Sequence, residues 1–166
     1  HKLTRLRDKN TTSDSFRSLM QELSRLLTYE ATRDLPMREM AIETPVTATR
    51  ARVVEEFPVV VSVMRAGNGM LEGILSLLPQ AQAGHIGIYR DKFIKNTVEY
   101  FFKVPVGAKG GTVLLADPLL ATGDSAIACL DRLKQFWVAR IKMLCLLVSP
   151  EGGERVPYFH PAVPIF

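Results

Sequence analysis

The sequence predicts an α/β fold with a doubly wound, mostly parallel sheet and flanking helices. Three observations support this prediction. Apolar, β-branched runs alternate along the chain with segments of helical periodicity, which is the order of elements in such folds. The predicted strands are apolar throughout, as in parallel strands that are buried on both faces. Turn-forming residues separate the elements, for example the glycines in the segment 65–69.

The three predicted helices carry apolar residues at the spacing of an amphipathic helix. The first covers residues 16–31, with Thr12 or Ser13 as its N-cap. The second covers residues 70–78 and is ended by a proline. The third covers residues 125–136 and begins directly after a loop that contains threonine, glycine and serine.

The predicted strands are runs of mainly apolar residues between turn signals. In chain order they cover residues 42–54, 59–64, 85–89, 98–104, 112–116 and 141–148. The first is rich in Thr and Val, and Pro45 assigns it to a sheet edge. We expect the strands that end at Met64, Tyr89, Ala116 and Val148 to lie parallel in one sheet.

A protruding β-hairpin arm is predicted over residues 92–104, where a strand carries aromatic residues on both faces. Tyr100, Phe101 and Phe102 are consecutive in it. Contiguous exposed apolar groups usually mark an interface, so we expect a homodimer or a higher homo-oligomer.

Length and composition favour a single domain over residues 1–166. With 166 residues and 47% hydrophobic residues, the chain can form one well-filled core. No apolar run approaches the roughly 20 residues that span a bilayer, so no membrane partner is expected. The chain begins at His1 and ends at Phe166 within a predicted strand, and we expect that it is truncated at both ends.

Charge and cysteine content limit the classes of function. The net charge of +4 is modest, and the sequence has no RNA-binding signature or basic helix with interleaved aromatic residues. We therefore expect an anionic metabolite rather than a nucleic acid as the main partner. Cys129 and Cys145 lie in apolar surroundings, which favours two buried thiols in a cytoplasmic protein over a disulfide or a metal site.

Three predicted strands end in charged residues just before a turn: Arg65, Arg90 and Asp117. Because the carboxyl ends of parallel strands meet at one edge of a sheet, we expect these side chains to line one cleft. Residues 117–125 combine an acid, hydroxyl groups and the free N–H groups of a helix N-terminus, which suits a ribose that carries a phosphate. The two guanidinium groups would bind further phosphates in bidentate geometry.

Other catalytic and nucleotide-binding motifs do not occur. The sequence contains neither a P-loop nor a complete dinucleotide-binding fingerprint. Ser62 and Ser125 lack the glycines of a nucleophile elbow, which argues against a serine hydrolase. His1, His85 and His160 are too scattered for a metal cluster, and we expect His85 to be a hydrogen-bonded structural residue.

The charged strand ends belong to longer blocks by which the chain resembles the uracil phosphoribosyltransferase family, a group of type I phosphoribosyltransferases. The resemblance runs through almost the whole chain. Asp117-Pro118 is specific to this family, since most other phosphoribosyltransferases carry two acids there. The matching blocks cover residues 1–4, 7–11, 28–35, 43–46, 65–67, 84–91, 117–123 and 150–152.

The resemblance implies the type I phosphoribosyltransferase fold and the transfer of a phosphoribosyl group from 5-phosphoribosyl 1-pyrophosphate (PRPP) to uracil. The products are UMP and pyrophosphate, in pyrimidine salvage, and the required Mg²⁺ is carried by PRPP rather than by a protein metal site. Asp117 would hold the ribose hydroxyls, Thr122 and Ser125 would donate to the 5-phosphate, and Arg65 and Arg90 would hold the pyrophosphate. No residue need act as a covalent nucleophile. The expected PRPP-binding residues are Arg65, Arg90, Asp117, Pro118, Leu119, Leu120, Ala121, Thr122, Gly123, Asp124 and Ser125.

Three features depart from the family pattern. Asp124 stands in the phosphate loop where the family usually has glycine, so its carboxylate must point away from the phosphate. Asn68 replaces a leucine-like residue, and we expect a mild effect. The family's C-terminal block, which supplies the uracil pocket, has no counterpart after Phe166. We therefore expect no uracil-binding residue in this chain and little UMP formation by these residues alone.

A second function stays open beside the transferase. A degenerate or regulatory paralogue would keep the PRPP site or a nucleotide site and sense its ligand without turnover. Both readings place the protein in the cytoplasm with a phosphorylated metabolite as its partner, and they differ in whether uracil is converted.

Overall fold

The structure is a computed structural model that describes residues 1–91 and 96–166, with the side chain of Arg90 outside the described part. Within these residues the α-helices are α1 (Lys2–Arg7), α2 (Ser13–Ala31), α3 (Asn68–Leu77), α4 (Asp124–Gln135) and α5 (Pro150–Phe159). The strands are β1 (Met37–Glu43), β2 (Ala48–Val54), β3 (Val59–Met64), β4 (Ala83–Arg90), β5 (Thr97–Lys103), β6 (Thr112–Ala116), β7 (Leu119–Leu120), β8 (Arg140–Leu144) and β9 (Leu147–Val148).

The central sheet has the strand order β5-β4-β3-β6-β8. Strands β4, β3, β6 and β8 are parallel neighbours, and β5 pairs antiparallel with β4 at one edge. Near the other edge, Ile165 forms a parallel bridge to Met143 of β8. The mostly parallel sheet of the prediction is confirmed.

Helices cover both faces of the sheet, so the fold is doubly wound as predicted. Alternate residues of β3 point to opposite faces: Val61 belongs to a core cluster with α4, and Val60 belongs to a second cluster with α1, α2 and α3. Both side chains are fully buried. This double burial is the reason that the strand is β-branched and apolar at successive positions.

Two strand predictions need correction. Residues 42–54 form no single extended edge strand, because a turn at Thr44–Thr47 divides this part of the chain into β1 and β2 of a separate antiparallel hairpin. The hydroxyl of Thr44 donates to the carbonyl of Thr47 at 2.7 Å and stabilises the turn. The strand predicted over 141–148 ends at Leu144, and β9 leaves the central sheet to pair with β7.

The hairpin predicted over residues 92–104 is present in its described part, and residues 92–95 lie outside the described residues. Its strands continue together to Arg90 and Thr97, beyond Gly87, where the pairing of β4 with β3 ends. β5 is the edge strand of the central sheet. Phe102 holds it there, since its ring packs edge-on against Phe136 at 5.3 Å and lies under the guanidinium of Arg132. Tyr100 and Phe101 remain 52% and 43% exposed.

A buried lysine joins the central sheet to the end of α2. Lys142 of β8 is almost fully buried, and its ammonium donates to the carbonyl of Ala31 at 2.7 Å. It also pairs with Asp34, and this hydrogen bond holds the pKa of the Asp34 carboxyl below its usual range. The cation thus stabilises carbonyl groups at the negative end of a helix.

The two cysteines are buried thiols without a disulfide, as predicted from the sequence. Cys129 and Cys145 are buried and free. Burial raises the pKa of both thiols, that of Cys145 to about 12. In the ranges 1–91 and 96–166, no helix is both long and apolar enough to cross a membrane.

Candidate functional site

Charged residues follow three neighbouring parallel strands at the same edge of the sheet, as predicted. Arg65 follows β3, Arg90 ends β4, and Asp117 follows β6. The turn after β3 packs closely on the end of β6, because a Cβ atom added to Gly67 would lie 2.3 Å from the carbonyl oxygen of Ala116. Only glycine permits this approach of the two backbones.

Arg65 and Asp117 lie at the same edge of the sheet, as predicted, and that they share one cleft stays a prediction. Arg65 is exposed and lines a cavity of about 580 Å³ together with Tyr89 and Tyr100. Asp117 lines a cavity of about 110 Å³ inside the loop that follows β6. The side chain of Arg90 lies outside the described part of the structure, so its predicted place in the cleft stays a prediction.

Asp117 is a largely buried carboxyl at the end of β6. Burial raises its pKa to about 6, while a hydrogen bond from the backbone N–H of Leu119 acts in the opposite direction. Its own N–H donates to the carbonyl of Leu144 at 3.1 Å, which ties it to the neighbouring strand. A carboxylate in this position gains from any ligand that donates hydroxyl hydrogens or brings positive charge.

The loop between β6 and α4 forms a small cradle at the start of a helix. The cavity inside it is lined by Asp117, Leu119, Leu120, Ala121, Thr122, Gly123, Asp124, Ser125 and Ala126. Gly123 has a φ of +85° and is the N-cap of α4, so the chain turns sharply before the helix begins. The free N–H groups and the positive end of the helix dipole both favour an anion.

Pro118 does not line the cradle, unlike the other expected loop residues. Together with Leu119 and residues of α1 and α2, it lines an apolar cavity of about 350 Å³. Its carbonyl accepts hydrogen bonds from the N–H groups of Leu146 and Leu147, both at 3.1 Å. Pro118 therefore fixes the path of the chain between β6 and β7, and the structure places Asp117 and Leu119–Ser125 around the cradle.

Helix α5 supports the cradle from behind, which the sequence analysis did not predict. Ser149, the N-cap of α5, donates its hydroxyl hydrogen to the carbonyl of Ala121 at 2.6 Å and accepts from the N–H of Gly152. A Cβ atom at Gly152 would lie 2.5 Å from that same carbonyl. The available signals were a serine followed by proline at the first helical position and the Gly152-Gly153 pair.

The side chain of Asp124 contacts an arginine of α5 and a hydroxyl of the loop. Its Oδ1 lies 2.9 Å from Nη2 of Arg155, and its Oδ2 accepts from the hydroxyl of Thr122 at 3.3 Å. Nη1 of Arg155 donates to the carbonyl of Thr122 at 2.5 Å. The arginine of α5 thereby binds a carboxylate and a backbone carbonyl of the same loop.

A partly buried polar network joins β3, the start of α3 and β4 near the Arg65 turn. The hydroxyl of Ser62 donates to Oδ1 of Asn68 at 2.7 Å and is hydrogen-bonded to Nδ1 of His85 at 2.8 Å. Since a hydroxyl has one hydrogen, His85 is the donor in the second bond. This bond agrees with the structural role predicted for His85. Asn68 accepts a hydrogen bond from Ser62 that a leucine at this position could not accept.

Comparisons with known proteins agree with these features. The family model described as uracil phosphoribosyltransferase matches residues 1–166. A uracil phosphoribosyltransferase of Rhizobium meliloti is 49% identical over 167 aligned positions, which cover 100% of this chain and 80% of the relative. One of Polaromonas naphthalenivorans is 46% identical with the same coverage.

Solved structures have the same arrangement of elements. An Aquifex aeolicus protein superposes with a TM-score of 0.92 at 30% identity, covering 100% of this chain and 80% of that one. A hypoxanthine-guanine phosphoribosyltransferase of Bacillus anthracis superposes with a TM-score of 0.60 over 81% of this chain and 69% of that one. At 15% identity, this second likeness shows the fold alone.

Proposed function

Because the chain belongs to the uracil phosphoribosyltransferase family, we propose that it transfers the phosphoribosyl group of PRPP to uracil, releasing UMP and pyrophosphate. The single observation that carries this proposal is the pairing of Asp117 with the cradle of residues 119–126 in one cavity. An acid beside an anion seat matches a ribose 5-phosphate, which has a diol at one side and a phosphate at the other.

The cradle would bind the 5-phosphate of PRPP. The residues that precede and begin α4 line it, and Gly123 provides the turn at the start of the helix, where backbone N–H groups lack helical partners. Ser125 is half-buried at the edge of the cavity and its hydroxyl would donate to a phosphate oxygen. Thr122 would do the same after its hydroxyl turns away from Asp124.

Asp117 would accept hydrogen bonds from the ribose hydroxyls and hold the sugar ring in place. Burial raises its pKa to about 6, and the hydrogen bond from the backbone N–H of Leu119 offsets this effect only in part. Donation from two ribose hydroxyls would lower this pKa and favour the carboxylate. As the bond to pyrophosphate breaks, the sugar gains positive character, and a fixed carboxylate beside it stabilises that charge.

The pyrophosphate would lie beside the arginines that follow β3 and β4. The cavity next to Arg65 is open and large enough for a diphosphate, at about 580 Å³. Guanidinium groups bind phosphate oxygens in bidentate geometry and stabilise the charge that develops on the leaving group. Arg90 would act in the same way, and the Mg²⁺ that neutralises the diphosphate would arrive as part of the substrate.

We further propose that the protein is a cytoplasmic homodimer or higher homo-oligomer. Tyr100 and Phe101 are large aromatic residues exposed on the edge strand β5, and burial against another copy would remove them from water. The two buried free thiols are those of a protein that folds in a reducing compartment. Light scattering at micromolar concentration that detects only monomer would contradict the oligomer.

The transferase is tested with residues 1–166 and with the same residues extended by the family's C-terminal block, each incubated with labelled uracil, PRPP and Mg²⁺. We expect UMP and pyrophosphate in equal amounts from the extended form, little UMP from residues 1–166, and no product from either form when hypoxanthine replaces uracil. The matched control is Asp8→Asn, which changes an exposed carboxyl between α1 and α2 and keeps the oxygen that accepts from the N–H of Asn10. Binding of PRPP by the extended form without formation of UMP would overturn the transferase in favour of a PRPP sensor.

A further inference from the structure

The phosphate cradle contains a carboxylate of its own. Asp124 is the first residue of α4 and lines the cavity of the cradle. Its negative charge therefore stands at the same positive helix end that would receive a phosphate. The two anions would repel each other and compete for the same N–H groups. A phosphate binds here only if the charge of Asp124 is offset and its side chain is held aside.

Arg155 meets both requirements from the far side of the loop. It projects from α5 and lines a neighbouring cavity of about 230 Å³ that also includes Ile127 and Phe159. One nitrogen of its guanidinium lies 2.9 Å from Oδ1 of Asp124, and the other donates to the carbonyl of Thr122 at 2.5 Å. The planar fork of an arginine permits this double contact, which a lysine ammonium cannot reproduce in the same geometry.

The position of the Asp124 carboxylate also affects whether the hydroxyl of Thr122 can donate to a phosphate. This hydroxyl donates to Oδ2 of Asp124 at 3.3 Å, and a hydroxyl has a single hydrogen to give. Without Arg155, the carboxylate would lose the guanidinium that offsets its charge and would accept this hydrogen bond more strongly. Arg155 therefore reduces the repulsion between Asp124 and a phosphate and holds Oδ1 toward α5.

We propose that Arg155 is a positioning residue for PRPP: its ion pair with Asp124 and its hydrogen bond to Thr122 keep the cradle open to the 5-phosphate. The proposal rests on the proposed transferase function and names a residue of α5 that acts through the loop rather than by touching the substrate. It also explains how a cradle with an acid in it serves an anionic ligand.

The test is a double-mutant cycle on the binding of PRPP, with Mg²⁺ present, measured by calorimetry. We expect Arg155→Ala to raise the Kd for PRPP by about tenfold, which is within the usual coupling of contacting residues. In the form extended by the family's C-terminal block, the KM for PRPP should rise by a similar factor and the KM for uracil should stay unchanged. Asp124→Gly should bind at least as tightly as the wild type. The double variant should bind within about twofold of Asp124→Gly, because the repelling carboxylate is gone.

Two further variants separate this role from general support of the fold. Glu151→Gln removes the other acid near Arg155, at 3.6 Å on α5, and should leave the Kd for PRPP unchanged. Arg155→Lys should bind with an intermediate Kd, and it replaces Arg155→Ala if that variant does not fold. Thermal unfolding of each variant measures its loss of stability. If Arg155→Ala lost affinity only because the fold was weakened, adding Asp124→Gly would not restore the affinity for PRPP.

The outcomes of this cycle are distinct from those of the function test. A wild-type protein that does not bind PRPP would contradict the proposed function itself. A wild type that binds PRPP, with Arg155→Ala binding equally well, would overturn the role of Arg155. A double variant that binds as weakly as Arg155→Ala would also overturn it, because Arg155 would then not be acting through Asp124.

Discussion

Replacing Asp117 by asparagine should stabilise the free protein while weakening its binding of PRPP. Burial raises the pKa of Asp117 from an ordinary value of 3.8 to about 6. A shift of this size corresponds to about 3 kcal/mol of lost stability once the carboxyl is ionised, as an upper bound. Asparagine carries no charge and keeps an oxygen that accepts from the N–H of Leu119. The variant should therefore be more stable at neutral pH.

The sign of the pH dependence follows from the raised pKa. Between about pH 4 and pH 6 the folded protein holds a proton on Asp117 that the unfolded chain has lost, so the wild type loses stability as the pH rises through this window. Asp117→Asn does not, and its advantage should grow from near zero below pH 4 to a plateau above pH 7. For a chain of this size, we expect a rise in Tm of roughly 5–10 °C at the plateau.

Differential scanning calorimetry between pH 4 and pH 8, without ligand, measures this difference. Asp8→Asn is the control, since Asp8 is exposed and an aspartate or an asparagine at this position can accept a hydrogen bond from the N–H of Asn10. A difference in Tm between wild type and Asp117→Asn that stays constant with pH would contradict this prediction, because it would show that the change in stability does not depend on ionisation of Asp117. A destabilised variant at pH 8 would refute it as well.

Three further changes test the supports of the fold. Lys142→Met should lower the free energy of unfolding by about 1–3 kcal/mol, since the carbonyl of Ala31 loses its donor, as denaturant unfolding would detect. Asp34→Asn should be less stable than the wild type near neutral pH. Because the pKa of Asp34 is lowered in the folded state, this gap should close as the pH falls below about 4, in thermal melts. Gly67→Ala should destabilise strongly because its Cβ would meet a backbone carbonyl at 2.3 Å, whereas Gly69→Ala, with its nearest contact at 3.4 Å, should be neutral or slightly stabilising.

The sequence predicted the elements whose burial pattern is regular. The strand at Val59–Met64 is buried on both faces, so all of its residues except Ser62 are apolar, and its bounds are those predicted. The helix at Ser13–Ala31 buries one side, which gives the spacing that identified it. The loop that follows β6 was identifiable because an acid, hydroxyls and glycine occur together there, between a predicted strand and a predicted helix.

The elements that were missed lack such a pattern. Helix α5 contains Gly152, Gly153 and Pro157, which disfavour helices, and it forms because Ser149 caps it and the glycines fit closely against the loop after β6. The β1–β2 hairpin turns through residues 44–47, which contain neither the glycine nor the asparagine of a common hairpin turn. Its strands are mostly exposed, so burial left no periodicity to recognise.

The candidate site was predictable in its residues and only partly in its geometry. The parallel strands bring Arg65 and Asp117 to one edge, which follows from the general rule for such sheets. The close approach of Gly67 to β6 joins parts of the chain far apart in sequence, and the contact between Arg155 and Asp124 depends on a helix that begins 26 residues after the loop acid. Contacts of this kind arise from tertiary packing and have no local signature.

The most direct measurement of the central claim is a calorimetric titration of the protein with PRPP and Mg²⁺, compared with Asp117→Asn. The account predicts one PRPP site per chain in the wild type. In the variant, the loss of the carboxylate beside the ribose should raise the Kd by at least about thirtyfold, which corresponds to a cost of about 2 kcal/mol. Absence of binding by the wild type, or equal affinity of the two proteins, would contradict the assignment of the site.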